Sequence, residues 1–122
     1  MKQITEIGSE AKQKLNIATE DNDEFEFKLE YSDQQQGWFY SLTYGDVIIN
    51  GARLVTHPNI LRSYKNIFPF GLSIQTDDFS EPILINDFET ERVKVYLLTS
   101  SEVQEIEEGT YLVWNLAEII DY

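Results

Sequence analysis

Residues 37–56 read GWFYSLTYGDVIINGARLVT, and the parsing of this stretch decides the fold. Trp38, Tyr40 and Leu42 alternate with Phe39, Ser41 and Thr43, the period-two pattern of a strand whose side chains point to opposite faces. Tyr44-Gly45-Asp46 follows, and glycine admits the positive φ that tight hairpin turns require. Val47, Ile48 and Ile49 form a β-branched run that ends at Asn50-Gly51. Asn-Gly between apolar runs is a strong hairpin cue. The stretch therefore predicts a three-strand antiparallel meander, with residues 52–55 returning along the second strand. Trp38, Tyr40 and Leu42 belong to the core in this reading, and Phe39 covers an edge or an interface.

The pattern continues on both sides. Upstream, Phe25, Phe27, Leu29 and Tyr31 alternate with Glu24, Glu26, Lys28 and Glu30, so residues 24–31 form a strand with one face in the core and one in water. Gln13, Leu15 and Ile17 give residues 11–18 the character of an edge strand. A polar turn is expected at 19–23, a loop at 32–36 and a flexible arm at 1–10. Downstream, Pro58 suits the start of a helical turn, with Ile60, Leu61 and Tyr64 on its apolar side. Pro69 and Gly71 make 66–71 irregular, and residues 72–76 resume period two. Residues 77–86 read as a long loop with at most a short edge strand. Val93, Val95 and Leu97 mark a strong strand at 92–99.

Ser101-Glu102-Val103-Gln104 matches a capping box and Gly109 a helix stop. Glu105, Glu107 and Glu108 sit where the helix dipole disfavours anions, so a single weak turn is expected. Residues 111–116 suit a strand and 116–120 a helix, and length does not choose between the two. About six or seven short strands with frequent turns define an all-β chain with minor helical turns. The expected fold is a small antiparallel β-sandwich or partly open β-barrel. It forms one domain over 1–122, with the β core at 11–98 and a C-terminal extension at 99–122.

Composition narrows the function. The chain of 122 residues has no cysteine, so neither a disulfide framework nor thiolate chemistry is available. Against 22 Asp and Glu stand 9 Lys and Arg, a net charge of −13. Nucleic-acid binders and proteins of anionic membrane surfaces carry basic patches, and this balance disfavours both. A basic protein partner or a cation is the easier electrostatic match. No apolar run approaches the ~20 residues of a membrane helix. The opening MKQITEIGSEAKQ lacks the apolar block of a signal peptide, and the protein is expected to stay in the cell that makes it.

No catalytic constellation stands out. Ser9-Glu10-Ala11-Lys12 matches Ser-x-x-Lys without its companion motifs. His57, the sole histidine, is the default base near neutral pH, but it precedes a proline in a loop and is expected to be solvated. Glu20, Asp21, Asp23 and Glu24 resemble a calcium loop in charge only, because Phe25 breaks the alternation that an EF-hand needs. Carboxylate pairs spaced for glycoside hydrolysis cannot be singled out among 22 acids. The sequence assigns no catalytic residue, cofactor or metal ligand. Trp38, Phe39, Tyr40 and Tyr44 are the residues that would stack on a sugar or a base. They carry the alternative of a small β-barrel binding module for a carbohydrate or peptide.

An ordered series of features runs from about Gln13 to Leu98. Phe27-Lys28-Leu29-Glu30-Tyr31 ends a strand and a polar loop follows. Trp38-Phe39-Tyr40-Ser41-Leu42 comes next, then a tight turn and Gly51-Ala52-Arg53-Leu54-Val55. The loop Asn59-Ile60-Leu61-Arg62-Ser63-Tyr64 leads to Phe70-Gly71-Leu72-Ser73-Ile74, and Val93-Lys94-Val95-Tyr96-Leu97-Leu98 closes the series. The series resembles the baseplate plug family of contractile-tailed bacteriophages, and the acidic surface and the tail from Ser101 to Tyr122 depart from that family's pattern. The resemblance implies a non-enzymatic structural component of the virion tail, made in the bacterial host's cytoplasm. Such a part sits at the centre of the baseplate against hub and tail-tube proteins, and it has no cofactor or active site to transfer. Self-association is compatible with it. Phe39, Tyr64, Phe68 and Phe79 are the expected partner-contact residues.

Overall fold

The computed structural model describes residues 1–64, 66–78 and 80–110. In chain order the strands are β1 (Lys2–Gln3), β2 (Lys12–Ala18), β3 (Glu24–Ser32), β4 (Gly37–Tyr44), β5 (Val47–Arg53), β6 (Gly71–Thr76) and β7 (Val93–Leu98). A 3-10 turn, Arg62–Tyr64, precedes β6, and a short helix, α1 (Ser100–Glu105), follows β7. The strands form two antiparallel sheets, one ordered β2-β3-β4-β5 and one ordered β1-β7-β6. Among the described residues they do not close into a barrel.

Alternation sets the four-stranded sheet. Leu15 pairs with Phe27, Phe27 with Leu42, and Leu42 with Ile49, so one apolar row crosses all four strands. Phe25, Phe27, Leu29, Trp38 and Leu42 are buried beneath it, each worth about 1.5–3 kcal/mol in removed apolar surface. The second sheet meets this face through aliphatic side chains of β6 and β7 and through the ring that precedes β6. Phe70, which leads into β6, stacks on Phe25 with centroids 4.5 Å apart, and Val93, Val95, Leu72 and Ile74 join the same core.

Strand β6 is lined on its second edge by residues 57–60. His57 and Ile74 exchange backbone hydrogen bonds of 3.2 and 3.0 Å, and the Ile60 N–H donates to the Leu72 carbonyl at 2.8 Å. Asn59 is buried, and its Oδ1 accepts from the backbone N–H of both Leu61 and Leu72. An added Cβ on Gly71 would meet that Oδ1 at 2.7 Å and Val103 of α1 at 2.9 Å. Gly71 is required by this close approach. Burial of Ser73 as well as Leu72 and Ile74 departs from the half-wet strand that period two implies, because this strand is covered on both faces.

Five further expectations are corrected. Lys2–Gln3 is a strand on β7 rather than a free arm, Ile4 is buried, and its N–H donates to the Val95 carbonyl at 2.8 Å. Asn50-Gly51 is no hairpin: β5 runs straight through it. Tyr40 faces Ala52 and Leu42 faces Ile49, so Asn50 and Gly51 together oppose Ser41, the two-against-one count of a β-bulge. Gly51 has φ +65°; bulge and hairpin both demand that conformation, so the dipeptide alone could not separate them. Within residues 37–56 the hairpin is the Gly45-Asp46 turn, with Gly45 at φ +58° in the first central position, as a type II′ turn requires. The helix cap lies two residues earlier than read. Thr99 and Glu102 form the capping box, since Thr99-Ser100-Ser101-Glu102 matches the same pattern. Gly109 falls within a helical turn over Ile106–Thr110 and does not stop α1. The one helical turn expected after Pro58 is confined to Arg62–Tyr64. The strand and helix alternatives for 111–120 lie outside the described residues.

Candidate interaction surface

The four expected contact aromatics do not share a face. Phe39 points outward from β4, opposite Glu30 on β3 and Arg53 on β5. The Arg53 guanidinium lies over its ring at 5.5 Å, a cation–π contact, and donates to the Gln36 carbonyl at 3.1 Å. Beside Phe39 runs a shallow cleft of about 330 Å³ whose lining includes Lys12, Lys14, Lys28, Ser41 and Gly51. Lys14 and Lys28 both reach Glu26 there, at 3.4 and 3.5 Å; such exposed pairs add little stability.

Tyr64 is half-buried at the end of the 3-10 turn, and its ring centroid lies 5.8 Å from that of Phe68. Phe68 is only 3% exposed, packed among Tyr44, Tyr64 and Phe70. Its ring is therefore a core element with no free surface to offer, which corrects its assignment as a contact residue. Phe79 lies outside the described residues.

The stacking set for a sugar or peptide ligand is likewise dispersed. Trp38 and Tyr40 are buried, and Tyr44 donates its hydroxyl to Asp23. That bond holds the Asp23 carboxyl below its ordinary range and pushes the Tyr44 phenol up. Burial, with Tyr64 adding to it, raises Tyr40 to about 12. Only Phe39 faces outward, and one covered ring is not an aromatic groove.

His57 lines a cleft of about 500 Å³ together with Ser73, Thr76, Leu98, Glu102 and Ile106. Its Nδ1 accepts the Asn59 N–H at 2.9 Å, a role within the turn. Among the described residues no group of three or more His, Cys, Asp or Glu is placed to hold a metal ion. Nor is any helix among them long and apolar enough to cross a membrane.

Sequence reasoning read a loop at 77–86 but missed the network that holds it. Arg92 gathers it. Its Nε donates to Asp87 at 2.7 Å, its Nη1 to Asp78 at 2.8 Å and to Ser80, and its Nη2 to the Glu81 carbonyl at 2.8 Å. Asp87 is fully buried, and its bond to Arg92 raises the guanidinium above its ordinary pKa. Hydrogen bonds from Ser80, with Arg92 adding to them, hold Asp78 low. Asp78, Ser80, Glu81 and Asp87 are thereby tied to one side chain. The loop's one sequence cue was the apolar run Ile83-Leu84-Ile85, which is too short to show a period.

The family described as "Cyanophage baseplate Pam3 plug gp18" matches residues 1–101. The chain belongs to this baseplate plug family. No curated protein matches the chain. Family membership carries a structural role in a phage tail baseplate, and the matched region takes in both sheets together with the Arg92 loop.

Proposed function

We propose that this plug protein works without catalysis, at the hub and tail-tube end of the baseplate, as an assembly part bound by neighbouring tail proteins. The observation that carries this reading is the family match across residues 1–101. The sheet edges support it. Strand β2 presents Lys12 and Lys14 along one outer edge, and charged edges discourage strand addition. Strand β5, at the opposite edge, has no charged residue from Val47 to Ala52 and leaves Ile48 66% exposed. An extended segment of a neighbouring protein can pair with such an edge through main-chain hydrogen bonds. Phe39, on the adjacent strand, and Tyr64 are the proposed side-chain contacts of the same assembly.

Light scattering on a size-exclusion column tests the reading. The purified chain is run alone, then mixed with the hub and tail-tube proteins of the same phage. Co-elution at a defined ratio is the expected result. A chain that elutes as a monomer and ignores both proteins would overturn the placement.

A further inference from the structure

We infer that Ile83-Leu84-Ile85 is a rigid docking knob that inserts into an apolar pocket rimmed by lysine and arginine on another baseplate protein. The inference rests on the baseplate reading for the partner's origin and on geometry for everything else. Met1, Ile48, Val55 and Ile67 are exposed singly, whereas Ile83, Leu84 and Ile85 are 42, 48 and 51% exposed in succession. Among the described residues this is the one run of consecutive exposed large hydrophobic side chains. Isolated exposed apolar residues need no explanation; a gathered set marks a contact surface.

The backbone explains why the three stay outside. The Tyr31 hydroxyl donates to the Ile83 carbonyl at 2.7 Å, and the Trp38 indole N–H donates to the Leu84 carbonyl at 2.9 Å. Tyr31 and Trp38 are cross-strand partners at one end of β3 and β4, so the loop lies across that end. The Leu84 N–H donates to Asp87 Oδ2 at 2.9 Å, and Pro82 is buried immediately before the run. Main-chain groups face the protein, and aliphatic side chains face out. Binding such a fixed segment loses little conformational entropy, which is what makes a preorganised contact strong.

Charge selects the occupant. From Asp77 to Arg92 the chain carries six carboxylates and one guanidinium. Arg92 is engaged by Asp87 and Asp78, and the neighbouring Lys94 pairs with Asp77 at 3.6 Å. Glu89 and Glu91, which follow the knob closely in the chain, are exposed. A second copy of this chain would bring −13 against −13. A basic rim around an apolar pocket fits both features, and complementary rims steer association and exclude wrong partners.

The test measures binding of the full chain to each purified baseplate protein of the same phage by isothermal titration. The wild type is compared with the triple variant Ile83→Ser/Leu84→Ser/Ile85→Ser and with the rim variant Glu89→Lys. The triple variant should lose about 100-fold in affinity, as central anchors of an interface do, and the rim variant several-fold. Because the anchoring bonds use carbonyls, the triple variant should keep the near-ultraviolet circular dichroism of Trp38, whose ring meets that of Phe88 edge-on with centroids 4.8 Å apart. If it does not fold, Leu84→Ser alone is read, with about a tenfold loss expected. A folded knob variant that binds as tightly as wild type overturns the inference while leaving the baseplate role intact. Dimerisation of the wild type that the triple variant abolishes overturns it in favour of a second copy. Wild type that binds no baseplate protein overturns the proposed function together with the knob.

Discussion

Asp87 is a buried carboxylate that serves two masters: Oδ1 takes the Arg92 guanidinium and Oδ2 takes the Leu84 N–H. Removing one partner of such a pair leaves a charge and an amide without their acceptor, which costs more than the pair contributes when intact. Asp87→Ala should therefore destabilise the protein by about 3 kcal/mol, read as a shift in the urea midpoint. Amide exchange at Leu84 should rise with it. A loss within a few tenths of a kcal/mol would mean that Asp78 and the Glu81 carbonyl hold Arg92 unaided. The same residue shows a limit of sequence reading. Among 22 acids nothing local marks Asp87 as the buried one, because its partner and its cover arrive from the folding of the loop around it.

At the scale of the element, the bulge in β5 replaces a turn. Ser41 accepts the Gly51 N–H at 3.0 Å and donates to Asn50 Oδ1 at 3.2 Å, which satisfies groups that the register shift withdraws from the ladder. A Cβ at Gly51 would meet nothing within 4 Å, so any cost of substitution is conformational. Gly51→Ala should lose about 1 kcal/mol in urea denaturation, and Gly51→Asn less, since asparagine tolerates the left-handed region. Equal stability of all three chains would show that the strand re-registers without the bulge. The strands themselves were legible. Phe25, Phe27 and Leu29 announce a half-buried strand because their period matches the pleat, and Val93 and Val95 do likewise. Lys2–Gln3 was not, since two residues carry no period and the strand exists through β7. Of the candidate surface, the outward direction of Phe39 was readable, since it is the odd member of an alternating strand. Phe68 was misassigned because an aromatic in an irregular segment carries no face. Ile83-Leu84-Ile85 stayed hidden because exposure is set by long-range bonds to Tyr31 and Trp38.

At the scale of the whole molecule, a charge of −13 on 122 residues disfavours approach to another acidic surface and favours approach to a basic one. Its reach is set by salt, with a Debye length of about 8 Å at physiological ionic strength. Association with a basic baseplate partner should weaken about tenfold between ~50 and ~500 mM NaCl, mainly through a slower on-rate. Surface plasmon resonance over that range is the check, and a salt-independent on-rate would remove charge steering from the account. The carbonyl anchorage of the β6–β7 loop has a consequence for heredity. Trp38 and Tyr31 grip main-chain oxygens, which every amino acid supplies, so mutation can rewrite positions 83–85 without altering how the segment is held. A lineage facing a changed neighbour can thus explore new surface chemistries one codon at a time, on a scaffold that does not have to be reinvented.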